Sequence, residues 1–330
     1  MKTFSAFRIH SKAGQIHADF ENLTLDDLTP GDVIIKSVYS NINYKDALAA
    51  TGKGRILKKF PLVGGIDVAG FVENSHDDRF NTGDAVLVCG AGLSETLDGG
   101  YSHYVRVPGD CVIKLPDGLS LYQAMAIGTA GFTAALAVNQ MQHNGQKPDR
   151  GAIFVTGATG GVGSYAIDYL SGLGFEVIAI SSKPDRVDYL ESLGAGQVIS
   201  RQALAMGNRP LEKSLCAGAI DCVGGELLSW LTRTVQPLGN IAVIGLTGGI
   251  EINTTVMPFI LRGINLLGIS SVYCPNEIKS HIWGRLASDL KPRHIDKIVT
   301  REISFEQLPE MFEATLQGRV TGRTVVNITR

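Results

Sequence analysis

The stretch Ala152–Gly163, Ala-Ile-Phe-Val-Thr-Gly-Ala-Thr-Gly-Gly-Val-Gly, constrains this chain more than any other. Ala152 to Val155 is short and apolar, as a parallel strand buried on both faces must be. A glycine-dense turn follows. Then Ala166, Ile167, Leu170 and Leu173 recur at helical spacing up to Gly174, a natural C-cap. Strand, glycine turn, helix is the context that a phosphate-binding turn needs. The backbone bends tightly, approaches a pyrophosphate closely, and aims the free N–H groups of a helix N-terminus at the anion. Ala158, Gly160 and Gly163 occupy the three places of a Gly-x-Gly-x-x-Gly pattern, with alanine in the first; the alternative is an ordinary tight turn.

The continuation favours the nucleotide. Phe175–Ser181 reads as a second strand, ending where a dinucleotide-binding βαβ unit reads the adenosine ribose. An NAD-specific chain carries Asp or Glu there. This chain has Ser181-Ser182-Lys183 and then Arg186, so no carboxylate repels a 2′-phosphate and two cations can accept one. Asp185, after Pro184, is better placed to cap the next helix. The cofactor expected is NADPH, held by Thr159, Gly160, Gly161 and Val162 at the pyrophosphate and by Ser181, Ser182, Lys183 and Arg186 at the 2′-phosphate. A solvated helix start is the other reading of Lys183 and Arg186.

A chain of 330 residues suits two domains. Its net charge of −2 argues against bulk attraction to nucleic acid or an anionic membrane. The N-terminus has no apolar signal core and no run approaches transmembrane length. Five scattered cysteines without a CxxC pair fit reduced thiols, so a cytoplasmic location is expected.

Up to about residue 120 the chain reads as short strands and turns: 5–9, 32–40, a glycine-bent strand from Val63 to Val72, 85–88, 104–108 and 111–116. That pattern suggests a small, partly open β-barrel. Near Ser120 it changes. Leu121–Val138 reads as helix, broken around Gly128–Gly131. Strands near 152–155, 175–181, 197–199, 219–223, 241–244 and 265–269 then alternate with helices such as 186–193 and 226–236, giving a doubly wound α/β sheet. After about 270, the helix 277–290 and the strand 323–328 leave that rhythm and are expected to return to the first domain. The expected organisation is 1–123 as a first catalytic segment, 124–270 as the NADPH domain, and 271–330 as the return.

These features together resemble the medium-chain dehydrogenase/reductase superfamily, in which a GroES-like barrel domain accompanies a six-stranded Rossmann domain. The resemblance covers essentially the whole chain. Ser40–Leu48 (SNINYKDAL), Gly65–Gly70 (GIDVAG), Ile127–Ala134 (IGTAGFTA) and Thr255–Arg262 (TVMPFILR) look like the YhdH/YhfP quinone-oxidoreductase-like subfamily, AcuI-like. That subfamily's best-understood activity is the NADPH-dependent reduction of acryloyl-CoA to propionyl-CoA. Where zinc alcohol dehydrogenases of the superfamily place Cys, His-Glu and Cys, this chain has Asn43, Ile66-Asp67 and Thr129, a set that cannot make the Cys/His site zinc prefers. No metal is expected. Oxidising an alcohol without a Lewis acid loses its main source of alkoxide stabilisation, whereas reducing an activated C=C bond needs none.

In such a reduction a hydride adds to the β-carbon, charge develops on the carbonyl oxygen and a proton reaches the α-carbon. Tyr44, on the segment that lines the active cleft in the superfamily, is the expected donor to the enolate or to the cofactor amide. Asn43 is expected to orient the carbonyl, and Asp67 to fix Lys45 or Tyr44 or to relay a proton. Asn41 and Asp46 read as local turn and cap groups as readily as catalytic ones. By resemblance Arg201 adds to the phosphate site, Leu246 and Ile269 flank the nicotinamide ribose, and Asn327 is a further cofactor contact; Arg323 or Arg262 could bind a coenzyme A phosphate, but each reads more readily as a surface or interface cation. Loop Gly90–Gly100 is expected to overhang the substrate, small and acidic where relatives carry Trp and His or Asn. The alternatives are a quinone or enone reductase and a non-catalytic NADPH-binding sensor or structural protein. A homodimer formed through the outer strand Asn265–Ser270 is expected as well.

Overall fold

The computed structural model describes residues 3–330. The chain opens with β1 (Phe4–Lys12), β2 (Gln15–Leu23), β3 (Val33–Asn41), α1 (Tyr44–Thr51), β4 (Leu62–Val63) and β5 (Asp67–Ser75). β6 (Ala85–Cys89), β7 (Tyr104–Val107), β8 (Ile113–Lys114) and the long α2 (Leu121–His143) follow. Alternating units come next: β9 (Ile153–Thr156), α3 (Gly161–Gly172), β10 (Val177–Ser181), α4 (Val187–Ser192), β11 (Gln197–Ser200), β12 (Cys216–Asp221) and α5 (Gly225–Thr234). That region ends with β13 (Val235–Val243), α6 (Met257–Arg262) and β14 (Asn265–Gly268). The tail adds α7 (Asn276–Leu286), α8 (Ile295–Ile298), β15 (Val299–Ser304), α9 (Leu308–Leu316) and β16 (Arg323–Asn327).

Two compact units result. One holds the chain up to Thr129 with Val272–Trp283 and Val299–Arg330; the other holds Ala130–Ser271 with Gly284–Ile298. In the first, β3 is the spine. It pairs antiparallel with β5 along most of its length, and on its other edge with β7 over its first half and with β16 at its end, so the sheet curls toward a barrel. Val33, Ile35, Val68, Val72, Val86, Val88, Val105 and Val107 fill one core between these strands. In the second, six parallel strands run in the order β11-β10-β9-β12-β13-β14. The order reverses between β9 and β12, which sets a topological switch point beside the turn after β9, where such sheets bind ligands. β9 and β12 are buried throughout, as central parallel strands require.

Several expectations are corrected. The tail does not return whole to the first unit: Gly284–Ile298 stays with the second. Arg285 donates to Asn139 Oδ1 (3.0 Å) and Gln142 Oε1 (2.9 Å), and Asp168 Oδ2 accepts the Arg293 N–H (2.8 Å). The first boundary falls after Thr129 rather than at 123. Val63–Val72 is two strands, because Gly65, at φ +89°, packs its backbone against the Tyr101 ring. β2 was not foreseen, since its alternating pattern is mostly polar. α2 reaches transmembrane length and hydropathy, unlike any run expected from the sequence, but most of it is buried in the protein, as a core helix is.

Gly163 shows why the turn demands glycine. A Cβ there would lie 2.5 Å from Gly157 O and 2.7 Å from Ala158 Cα, so α3 could not sit this close to the turn. Gly163→Ala is expected to cost about 1–3 kcal/mol through overpacking against backbone. A thermal melt would register it as a lowered Tm, and an unshifted Tm would contradict the close packing.

Candidate active site

Tyr44 is the first residue of α1, and its side chain is partly exposed. Asn43 before it is in extended conformation, and its N–H donates to Asp46 Oδ2 at 2.8 Å, which fixes the helix start. The other Asp46 oxygen accepts the Ile66 N–H at 2.9 Å. Asp46 therefore joins α1 to the start of β5.

Behind Tyr44 lies a buried polar network. The Asn43 amide nitrogen is 2.8 Å from Asn41 Oδ1, 2.9 Å from Asp67 Oδ2 and 3.2 Å from Asp46 Oδ2. Its amide oxygen accepts from Arg323 Nη1 at 3.1 Å. Asp67 has no exposed surface and accepts the Thr129 N–H (2.8 Å) and hydroxyl (2.5 Å). Arg323 also donates from Nε to Ala126 O and from Nη1 to Ile42 O, each at 3.1 Å. Asn41 donates to Met125 O (3.0 Å), and the Tyr101 hydroxyl donates to Asn41 O (3.0 Å). Gly128 makes room for this cluster. It breaks α2 at φ 49°, ψ −160°, and a Cβ there would fall 2.3 Å from Asn41 Nδ2. The break frees the Thr129 N–H for Asp67.

Two carboxylates and one guanidinium thus share a dry interior. Burial, and then the neighbouring Asp67 charge, pushes Asp46 up to about 7. Burial likewise raises the Tyr101 phenol and the Cys89 thiol, the latter bonded to Asp67.

The network revises the roles expected from sequence. Asp67 fixes neither Lys45 nor Tyr44: Lys45 pairs with Glu95, and Asp67 serves Asn43 and Thr129. The Asn43 amide is committed on both atoms, so it orients the start of α1 rather than a substrate carbonyl. Of Asn43, Ile66-Asp67 and Thr129, which by resemblance stand where zinc relatives place Cys, His-Glu and Cys, Asn43, Asp67 and Thr129 come together as a hydrogen-bonded set, and apolar Ile66 holds the place of the His. Among the described residues no group of three His, Cys, Asp or Glu side chains is arranged to hold a metal ion. Arg323 is neither a surface cation nor free for a coenzyme A phosphate: it is buried and central to this network, and a lone arginine in a closing strand carries no signal of its partners. Arg262 is spent on the backbone oxygens of Arg233, Val235 and Glu212.

Loop Gly90–Gly100 is also different from the expectation. Its acids line nothing: Glu95 is buried between Lys45 and Lys58, and Asp98 accepts the N–H groups of Thr29 (2.6 Å) and Val63 (2.8 Å).

In the second unit the turn after β9 is bare backbone at a helix N-terminus. Gly157 sits at φ +57°, Thr159 is buried, and Gly160 caps α3 with no side chain bonded to the helix start. The first intrahelical bond is from Ser164 N to Gly160 O (2.9 Å), which leaves the N–H groups of Gly161, Val162 and Gly163 pointing out of the turn. A Cβ on Gly160 would come 3.3 Å from Gly157 O, so the cradle is bare backbone. At the end of β10, Ser181 is buried and its hydroxyl accepts the Lys183 N–H (3.0 Å), leaving its own proton to donate. Ser182 is exposed and Lys183 half-buried; burial and then Arg186 hold the Lys183 ammonium below its ordinary value, the condition an anion would relieve. Arg186 itself lies 3.3 Å from Asp185. Arg201 opens the turn after β11; burial pushes the Asp221 carboxyl up, and the Arg201 charge is among the neighbours that oppose that rise. Leu246 is exposed, and the Ile269 N–H is tied to Val243 O (3.1 Å) at the end of β14. Asn327, in the first unit, closes its amide oxygen on Thr329 (2.8 Å), leaving only its NH₂ for any ligand. A bare helix N-terminus and the nearby cations Lys183, Arg186 and Arg201 fit a phosphorylated dinucleotide.

Residues 29–117 match the alcohol dehydrogenase GroES-like domain and 161–288 the zinc-binding dehydrogenase family. The chain is 45% identical to a protein of Bacillus subtilis named putative quinone oxidoreductase YhfP, over 98% of this chain and 99% of that one. The crystal structure of that protein with NAD bound covers 99% of this chain and all of its own, with TM-score 0.96. A protein of Escherichia coli named probable acrylyl-CoA reductase AcuI is 43% identical over 98% of this chain and 99% of its own. The yhdH oxidoreductase of Salmonella enterica, solved in complex with NADP, has TM-score 0.95 at 43% identity, covering 98% of this chain and 99% of that one.

Because the folded Asp46 pKa lies above its unfolded value of 3.8, its contribution to stability is present in full below about pH 3.8 and is lost as pH rises through about 7. Asp46→Asn removes that titration. The Tm of the variant minus that of the wild type should grow from pH 4 to 7 and level off above; a gap independent of pH would contradict the raised pKa.

Proposed function

The chain belongs to the medium-chain dehydrogenase/reductase superfamily, in its YhdH/YhfP subfamily, and on that premise we propose that it is an NADPH-dependent oxidoreductase that reduces the C=C bond of small α,β-unsaturated acyl-CoA thioesters, acryloyl-CoA to propionyl-CoA in type. The observation that carries the chemistry is a half-exposed phenol, Tyr44, rooted on a buried Asn43–Asp67–Thr129–Arg323 network where zinc relatives keep metal ligands.

NADPH, when bound, supplies the hydride that reduces the β-carbon. Gly160, Gly161 and Val162, with Thr159, would hold its pyrophosphate through backbone N–H groups. Ser181, Ser182 and Lys183, with Arg186 and Arg201, would hold the 2′-phosphate, and Leu246 and Ile269 would flank the nicotinamide ribose. Tyr44 donates its hydroxyl to the thioester oxygen, where negative charge develops, and so stabilises the enolate before the α-carbon is protonated. Asn43 and Asp67 act as positioning residues: they hold the first turn of α1 and so the phenol. A preorganised donor costs no reorganisation during the reaction, which is why a rigid base matters more than a second polar group.

A quinone or free enone is the second reading, favoured by the name that the Bacillus subtilis relative carries. The ratio of kcat/KM for acryloyl-CoA to that for a small quinone separates the two. For assembly, β14 is the outer strand of its sheet, and Leu266, Val256, Ile260, Leu261 and Leu238 are exposed on or near it. A second copy of the chain covering this edge accounts for that apolar surface. Five free thiols support a reducing, cytoplasmic setting.

Tyr44→Phe is expected to lower kcat on acryloyl-CoA by about 10²-fold, the scale of losing one oxyanion donor, with the NADPH Kd nearly unchanged. A wild-type rate in that variant would remove the phenol from the mechanism. For the cofactor, Lys183→Ala with Arg186→Ala should bring the kcat/KM values for NADPH and NADH closer together by about tenfold or more. An unmoved ratio would place the 2′-phosphate elsewhere.

A further inference from the structure

Residues 52–60, Gly-Lys-Gly-Arg-Ile-Leu-Lys-Lys-Phe, carry four cations and no acid in a chain whose net charge is −2. The segment is anchored. Gly52, left-handed at φ +70°, ends α1, and Leu57 and Ile56 pack into the cluster of Ile9, Ala49 and Leu62. That anchoring turns Lys53, Arg55, Lys58 and Lys59 outward, and all four are exposed. Lys53 meets Glu313 (2.7 Å) and Lys58 lies 3.7 Å from Glu95, but Arg55 and Lys59 meet no carboxylate among the described residues.

Two further observations give this patch a ligand's shape. Tyr273 is 73% exposed, and Lys58 holds it, with Nζ 3.1 Å from the phenol oxygen and 5.8 Å from the ring centroid. A large aromatic face kept in water and held by Lys58, next in sequence to Lys59, offers a stacking platform on the segment that carries the cations. The patch is also wired to Tyr44. Glu95, itself buried, pairs with both Lys58 and Lys45, the residue after Tyr44, and its backbone oxygen accepts the Lys58 N–H (2.8 Å). From the other side, eight-residue α1 joins Tyr44 to Gly52, a span of about 12 Å.

We infer that Arg55, Lys59 and Lys53, with the Tyr273 ring, bind the adenosine phosphates of coenzyme A, so that this face selects thioesters by their nucleotide handle. The inference rests on the acyl-CoA reading above and extends it: the acyl end meets Tyr44, and the phosphates, on a long arm, meet the cations beyond α1. A quinone has no group for this patch.

The test is direct binding, which does not depend on turnover. Free coenzyme A is titrated calorimetrically into enzyme saturated with NADP⁺, with pantetheine as the probe that lacks the phosphates. The wild type should bind coenzyme A at least tenfold more tightly than pantetheine, and the advantage should shrink with added salt. Arg55→Ala with Lys59→Ala should erase most of it, Tyr273→Ala should reduce it several-fold, and Arg55→Lys should restore part. The Kd for NADPH and the kinetics with acryloyl-pantetheine should not move. An unchanged coenzyme A Kd in the double variant, or a shift in the NADPH Kd instead, overturns the site. Coenzyme A binding that depends on these cations in an enzyme that does not reduce acryloyl-CoA upholds the site and refutes the reductase reading.

Discussion

One carboxylate holds the first unit together where it matters. Asp67 bonds Asn43 at the start of α1 and Thr129 at the break in α2, and Arg323 of the closing strand reaches the same Asn43. Segments near residues 43, 67, 129 and 323 are thereby locked on a single point. Burying two carboxylates and a guanidinium is costly, and the cost is offset by the hydrogen bonds among Asn43, Asp46, Asp67, Thr129 and Arg323, although Arg323 Nη2 is left without a partner. Removing one member would leave the others charged and dry, a loss on the order of 3–5 kcal/mol for such groups. The arrangement gives geometry more than it gives stability: it fixes how the first turn of α1 presents Tyr44.

The features that were legible in the sequence are those written in adjacent residues. The turn after β9, its sequel at Ser181–Lys183 with no acid at the end of the second strand, and the strand-helix alternation each lie within a few tens of residues, and the fold class follows from them. The polar network was not legible in this way. Asn43 reads as a substrate-facing group only because its segment resembles the cleft lining of the superfamily, and Asp67 as a group that fixes Lys45 or Tyr44 or relays a proton. Only their contacts, made across 24 residues to each other and across 280 to Arg323, spend their hydrogen-bonding capacity internally. The same reason hid the fate of Glu95 and Asp98, whose partners Lys45, Lys58, Thr29 and Val63 are all distant in sequence. Strand β2 escaped because its face pattern is mostly polar, and the tail was misassigned because Asp168, which anchors Arg293 and His294, lies in the middle of another element.

Charge is divided to match the proposed chemistry. Lys183 and Arg186, with Asp185 3.3 Å from Arg186, supply the cations for the proposed 2′-phosphate site; in the other unit Arg55 and Lys59 meet no carboxylate among the described residues, on a segment whose Lys58 holds the exposed Tyr273 ring. Between them in function stands Tyr44, a neutral donor on a rigid base. A reductase of activated double bonds asks for such an arrangement, since it must hold two anionic molecules firmly and stabilise one developing negative charge.

The central claim is that this base performs acyl-CoA reduction without a metal. The measurement that tests it most directly is NADPH consumption with acryloyl-CoA, with and without a strong chelator. The account predicts turnover that the chelator does not reduce and that far exceeds turnover with NADH or with a small quinone. NADPH binding with no turnover of acryloyl-CoA, or turnover abolished by the chelator and restored by zinc, would contradict it.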